Sequence, residues 1–396
     1  MRVKDGDRRR DDNTTNTPVG MKNTPVDRPK DGQKRNRTKK VNDEGRRRDD
    51  NVADASVGLK NTLVEKPKDG QKRKKHQYYK WVLEGAAALE KFRADQKFVQ
   101  SIPTVAPAWV YNKTAADLVR KQMLHGGHLQ NGNFVTTRHN APLNFTVRRY
   151  ESEEVIMNVS RDAFDRFPKE SPFKDRRFNT CSVVGNGGIL KGSGCGEEID
   201  ASEFVFRCNM APMDDEYLKD IGKKTNLITI NPGQFAYKYN SFAEQTKSEN
   251  VEAFVQDLAV YGDSYLWIPA FFSKNYVNLT IAAHEVLREI RHIRNQVIIP
   301  HPDFMKQAQG YWSKHGLGHN RATTGLFLVS AATQMCAEVR LYGFWPFHSD
   351  RNNTRLTEHY FDNAVPTPRH NVPDEFKQLQ SLHNSGVLRL KTNACR

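Results

Sequence analysis

Apolar residues are spread unevenly along this chain. From about residue 108 onward they come in short runs of strand length: Ser182-Val183-Val184, Phe204–Cys208, Leu227–Ile230, Phe254–Val260, Tyr265–Ile268, Val297–Ile299 and Val339–Phe344. Their β-branched and aromatic content predicts buried strands. Between them lie stretches of helical period. Thr114–Met123 is one, Leu326–Met335 another, and Ile281–Ile293 sets Val286, Leu287, Ile290 and Ile293 on one face. Asn144–Tyr150 and Val155–Val159 alternate instead. Short strands alternating with helices predict an α/β domain with a mainly parallel sheet covered on both faces.

Upstream the pattern changes. His76–Gln100 reads as a helix with a loose apolar face of Trp81, Leu83, Ala87, Leu89 and Phe92, and Pro103 and Pro107 mark a boundary. Residues 1–76 have no periodicity and no aromatic residue. They are a tandem repeat at an offset of 38: Arg8–Asp12 recurs as Arg46–Asp50, and Pro29–Arg35 as Pro67–Arg73. Such a segment cannot bury a core and is expected to be disordered. The predicted organisation is a disordered basic repeat over 1–76, a helical stem or linker over 77–105, and one catalytic domain over 106–396.

Charge sharpens this division. The repeat carries 23 Lys and Arg against 13 Asp and Glu, a surplus of 10 out of the chain's net +15. The remainder is ordinary globular composition. Basic residues without interleaved aromatics offer only salt-sensitive attraction to phosphates, so a solvated spacer is favoured over a nucleic-acid arm. No run of about 18 apolar residues predicts a transmembrane helix, and no signal-peptide core stands near Met1. The five cysteines include no C-x-x-C pair, which argues against zinc or thioredoxin-type chemistry. Sequons stand at Asn112, Asn144, Asn158, Asn278 and Asn352, with two more at Asn13 and Asn36 in the repeat.

Chemistry concentrates in Cys181–Pro212, CSVVGNGGILKGSGCGEEIDASEFVFRCNMAP. A strand ends at Val184, Gly185–Gly188 make a turn, and Ile189-Leu190-Lys191 are expected to start a helix whose free N–H groups face that turn. This arrangement suits a phosphate. The next strand brings Asn209 to a place like that of Asn186, so two amides offer paired donors and acceptors to a base or sugar edge. The dinucleotide fingerprint G-x-G-x-x-G fails, because Leu190 stands at its third glycine. Downstream, Thr323-Thr324-Gly325 precede an apolar helix, a second anion-binding arrangement that also reads as a capped core helix.

The Cys181–Pro212 string closely resembles the large sialylmotif of animal sialyltransferases, with wording like that of the α2,8 branch. His319–Phe347 resembles the small sialylmotif, His359-Tyr360-Phe361-Asp362 the third, and His370 with Glu375 the very small one. The four occur in the family's order, and the resemblance covers roughly residues 106–396. It implies a Rossmann-like sheet of the GT-A-like kind found in sialyltransferases. It also implies a CMP-sialic acid donor held by Asn186, Gly187, Asn209, Thr323, Thr324, Gly325 and Trp345. His370 becomes the expected base on the acceptor hydroxyl and His359 the hydrogen-bond donor to the departing phosphate, with Glu375 in support. Inversion without a metal or other cofactor is expected, and residues 106–396 contain no D-x-D. Disulfides Cys181–Cys336 and Cys195–Cys395 are implied, with Cys208 a buried thiol, and so is a Golgi location.

The acceptor is expected to be a sialylated glycolipid or glycoprotein; Gly187 resembles the ganglioside-type and oligosialic enzymes, and both acceptor classes stay open. The competing readings are an inactive glycan- or nucleotide-binding homologue, a basic nucleic-acid-binding protein and an NAD oxidoreductase. Turnover of CMP-sialic acid separates the first from an enzyme. Heparin retention without sequence-selective binding demotes the second, and the failed fingerprint already weakens the third.

Overall fold

Strand β3 (Phe178–Val184) is the one from which the sheet grows, because it is apolar on both faces and Cys181–Val184 are buried. In this computed structural model the described residues are 97–101, 109–123, 134–240, 248–290, 293–363 and 372–395. The repeat over 1–76, most of the predicted stem helix and His370 lie outside them. In the order in which they pair, the sheet's strands are β7 (Gln296–Ile298), β6 (Tyr265–Trp267), β5 (Leu227–Thr229), β4 (Phe204–Arg207), β3, β8 (Cys336–Tyr342) and β9 (Arg389–Leu390). Every pairing is parallel, as the alternating pattern predicts. A separate antiparallel pair, β1 (Thr146–Arg148) and β2 (Val155–Asn158), accounts for the two alternating runs.

From β3 the chain steps through β4, β5, β6 and β7 to one edge, then returns to lay β8 on the opposite side of β3. The order reverses between β3 and β8, and loops leaving the carboxyl ends there diverge and leave a crevice. Helices cover both faces. Ten lie wholly within the described residues: α1 (Lys113–Met123), α2 (Arg161–Arg166), α3 (Gly196–Asp200), α4 (Asp215–Ile221), α5 (Pro232–Lys238), α6 (Ser248–Ala259), α7 (Lys274–Glu289), α8 (Pro302–Trp312), α9 (Thr324–Met335) and α10 (Val372–Asn384). One buried cluster packs α9 and α10 against β3 and β8; a second packs Ile199, Phe235, Phe254 and Leu287 on the other face. Each such side chain contributes roughly 1.5–3 kcal/mol by leaving water.

Three elements differ from the pattern-based expectation. The helix expected at Ile189-Leu190-Lys191 is a single 3-10 turn, Gly188–Leu190. Lys191 is extended and Gly192 and Gly194 have positive φ, so the chain turns away before a second helical turn. The apolar run at Phe254–Val260 is the end of helix α6, whose buried Phe254 and Leu258 are four residues apart. Helix α7 begins seven residues before Ile281, because Ser273 caps it by accepting from Tyr276 N at 3.2 Å.

Both implied disulfides are present. Cys181–Cys336 joins β3 to β8 with Cα atoms 6.0 Å apart, and Cys195–Cys395 joins the loop after β3 to the C-terminal segment with Cα atoms 4.8 Å apart. Cys208 is free and buried, and burial pushes its thiol up to about 12. Among the described residues no helix is long and apolar enough to cross a membrane.

Candidate active site

The crevice at the β3/β8 reversal opens into a cavity of about 630 Å³, within the range of small-molecule sites. Its floor is two glycine turns pressed together. Gly185 N donates to Tyr342 O and Gly187 N to Gly343 O at 3.0 Å, so the turn after β3 and the turn after β8 continue the sheet's hydrogen bonding. A Cβ at Gly187 would stand 2.5 Å from Gly343 O, a rigid backbone atom, so only glycine permits this approach. Gly343 has φ +73°, a left-handed conformation that glycine adopts without strain.

The two asparagines flank this floor. Asn186 Nδ2 donates to Cys208 O at 3.1 Å, and its Oδ1 has no partner among the described residues. Asn209 follows β4 with φ +56°, and Met210 after it has φ +45°. Asparagine tolerates that conformation better than methionine, and the left-handed pair turns the chain out of the sheet. Thr229 holds Asn209 in place: Asn209 N donates to its Oγ1 at 2.9 Å, and the hydroxyl donates to Asn209 Oδ1. Among the described residues this leaves a free acceptor on one amide and a free Nδ2 donor on the other.

Opposite them is the N-terminus of α9. Thr323 is the N-cap, its hydroxyl accepting from Leu326 N at 3.3 Å. The N–H groups of Thr324 and Gly325 precede the first intrahelical bond and are available to an anion, where the helix dipole favours negative charge. Glu375, on the first turn of α10, fixes the cap from behind. Its Oε1 accepts from Thr323 N at 2.8 Å and its Oε2 from Thr323 Oγ1 at 2.7 Å. Burial pushes Glu375 up to about 7, against the pull of those two hydrogen bonds, so its ionisation falls near neutral pH.

His359 comes from the segment after β8 and is held on three sides. It bridges to Gly187 as an isolated antiparallel pair, and its ring stacks on Phe361 with centroids 5.0 Å apart. Its Nδ1 is 2.6 Å from Asp362 Oδ2. With Nδ1 on the carboxylate, Nε2 is the nitrogen left to serve a ligand. Tyr360 N donates to Asn186 O at 3.0 Å, tying this segment to the first glycine turn.

Asn186, Gly187, Asn209, Thr323, Thr324, Gly325, Trp345, His359 and Glu375 therefore line one cavity, although 189 positions separate the first from the last. His370 lies outside the described residues, two positions before α10. Trp345 lines the cavity through its ring. It is 5% exposed, its indole N–H donates to Ser349 O at 2.9 Å, and it offers the cavity an apolar wall packed on Phe376.

Sequence reading missed Asn231, Gln234, Tyr237 and Tyr276. Asn231 carries a signal, since it follows the Leu227–Ile230 run and precedes Pro-Gly. It caps α5, accepting from Gly233 N at 2.9 Å. Tyr237 is 92% exposed at the rim, and nothing in its sequence neighbourhood sets it apart from other surface tyrosines.

Comparison with known proteins points the same way. The family described as glycosyltransferase family 29 (sialyltransferase) matches residues 125–387. An alpha-N-acetylneuraminide alpha-2,8-sialyltransferase of Bos taurus is 36% identical over 306 residues, covering 76% of this chain and 83% of its own. An alpha-2,8-sialyltransferase 8F of Homo sapiens is 37% identical over 264 residues, covering 66% and 65%. Among solved structures, a mammalian sialyltransferase in complex with Gal-beta-1-3GalNAc-ortho-nitrophenol is 20% identical with a TM-score of 0.41, covering 76% of this chain and 93% of that one.

Proposed function

Because the chain belongs to glycosyltransferase family 29, the sialyltransferases, and transfers sialic acid, we propose that it joins that sugar to a sialylated glycan through an α2,8 link. The donor in this reading is CMP-sialic acid. One observation carries the assignment: the carboxyl ends of β3, β4 and β8 and the N-terminus of α9 converge on a single cavity that contains every described residue expected to hold the donor.

The chemistry follows from the donor. An acceptor oxygen attacks the anomeric carbon of sialic acid as the bond from that carbon to the phosphate oxygen breaks, and the electron pair leaves on CMP. The acceptor's proton passes to His370, the base, which is required because an alcohol is a poor nucleophile. The departing phosphate gains negative charge where His359 Nε2 and the Thr324 and Gly325 N–H groups can donate to it. Asn186 Oδ1 and Asn209 Nδ2 are suited to the cytosine or ribose edge. Glu375 keeps the α9 cap in register with these donors. One displacement inverts the anomeric centre. No metal is required in this scheme, so a chelator leaves the rate unchanged.

Both implied disulfides fit the oxidising Golgi lumen that we propose for the enzyme. The test is direct. Purified protein is incubated with labelled CMP-sialic acid and a panel of glycolipids and glycoproteins ending in sialic acid or in galactose, and the product linkage is determined. The expected product is α2,8-linked sialyl-sialic acid on one of the sialylated acceptors. Transfer only to galactose, or no transfer at all, overturns the proposal.

A further inference from the structure

A second cavity of about 1250 Å³ is lined by positions close in sequence to those of the first. Gly187 and Glu358 line the transfer pocket, whereas Ile189 and Leu356, two residues further along in each of the same segments, line the second. The turn after β3 and the segment before His359 therefore separate the two spaces.

This second wall is basic and incompletely paired. Lys191, Arg351, Arg389 and Lys391 line it against the carboxylates Glu198 and Asp350, a surplus of two positive charges. Lys391 pairs with Glu198 at 3.0 Å. Asp350 Oδ1 is engaged as a turn cap by Asn352 N and Thr354 N, at 2.8 and 2.7 Å. Among the described residues no carboxylate lies within ion-pair distance of Lys191, Arg351 or Arg389, although Glu198 acts on Arg389 at longer range and the Arg389 guanidinium lies 6.0 Å from the Trp109 ring centroid. Nε and Nη1 of Arg351, Nε of Arg389 and Oγ1 of Thr392 are buried without a hydrogen-bond partner. Desolvated guanidinium nitrogens with nothing to donate to are costly, and an anion relieves that cost.

The geometry points to an acidic oligosaccharide as the occupant: we propose that this cavity binds a carboxylate-bearing sugar chain independently of the transfer pocket. Two arginines present planar forks that match carboxylates. Thr354, Thr392 and Asn393 add hydroxyl and amide groups suited to sugar hydroxyls. Among the described residues no aromatic side chain lines the cavity, so they offer no platform for stacking a base, which disfavours nucleotides and nucleic acid. Its volume is several times that of a single ion or carboxylate. The inference rests on the proposed function only in taking sialylated glycans as what the enzyme meets.

The test uses the full chain and a trimer of α2,8-linked sialic acid, titrated with CMP saturating the donor side of the transfer pocket; because the trimer can also enter the acceptor side, the cavity variants assign the binding. Binding is expected to persist under CMP and to weaken as salt rises. Arg351→Gln and Arg389→Gln are each expected to lower affinity about ten-fold, the scale for a charge-assisted hydrogen bond. Lys191→Gln, at an exposed position, is a variant whose folding is not at risk, and it should weaken binding too. CMP affinity should not change in any of them. The inference fails if CMP displaces the trimer completely, if the three variants bind as the parent does, or if a neutral trisaccharide binds equally well. Asn352 lies in a sequon on the cavity wall. If the trimer binds only after Asn352→Gln, the chain's own glycan fills the space and the inference is overturned. Trimer binding without sialic acid transfer to any acceptor defeats the proposed function and leaves this site standing; transfer without CMP-independent binding does the reverse.

Discussion

Glu375 is a buried carboxylate with two donors and, among the described residues, no cation, and its ionisation near pH 7 has a consequence for stability. A carboxyl raised from 4.5 to about 7 by burial favours the folded state most when protonated. Its contribution is fully present below about pH 4.5 and is lost as pH rises through about 7. Glu375→Gln removes the charge but keeps the shape. Denaturant unfolding at pH 5 and pH 8 should show the variant gaining on the parent at the higher pH, by at most about 3 kcal/mol for a shift of that size. An unchanged difference between the two pH values would mean the carboxyl titrates normally.

The two histidines make a second prediction at this scale. His359→Ala should slow departure of CMP, and so suppress both transfer and the slow hydrolysis of donor without acceptor. His370→Ala should lower transfer by about 10²–10⁴-fold, the scale for a general base, while leaving CMP affinity intact. Transfer assays with and without acceptor, beside a CMP titration, read both. Wild-type turnover in His370→Ala would remove it from the mechanism.

Among the elements, β3 and β8 carry the greatest burden, since both glycine turns and the Cys181–Cys336 bridge depend on their pairing. The second bridge acts on the loop beyond the 3-10 turn. Asp220 accepts from Gly192 N and Gly194 N at 2.7 Å each, and Cys395 N donates to Ser193 O at 2.8 Å. Replacing Cys195 and Cys395 together by serine frees a 200-residue span, which in the chain-entropy model lowers stability by about 5 kcal/mol, with 2–5 the usual measured cost. Denaturant midpoints would give the value. Cys208, buried and with its thiol pushed up to about 12, should resist iodoacetamide until the protein unfolds. Labelling followed by peptide mass analysis at native and denaturing urea concentrations checks this.

For the molecule as a whole, the family match begins at residue 125, far beyond the basic repeat. Removing residues 1–76 is therefore expected to leave the transfer rate constant unchanged with a soluble acceptor. A fall in rate with the unfolding midpoint preserved would give the repeat a catalytic part.

The sequence by itself determined most of the local structure and the candidate residues of the site. Strands and helices were legible because burial on a sheet or a helix face imposes its period on the residues, and the glycine turns were legible because few side chains fit there. The residues proposed to hold the donor were legible through the resemblance of their motifs to the sialyltransferase family, whereas the residue types alone suggested only a phosphate turn and two strand-end amides. What the sequence left open depends on contacts between distant segments. Nothing near Ile189 reveals that positive φ at Gly192 and Gly194 ends its helix after one turn. Nothing near Glu375 reveals that it is desolvated behind the Thr323 cap, since burial is a property of the packed neighbours. The strand order that lays β8 beside β3 and opens the crevice, the commitment of the Trp345 indole to Ser349, and the unpaired arginines of the second cavity were decided by tertiary structure alone. Periodicity reports which residues are buried, whereas the identity of each partner is fixed only when the chain closes on itself.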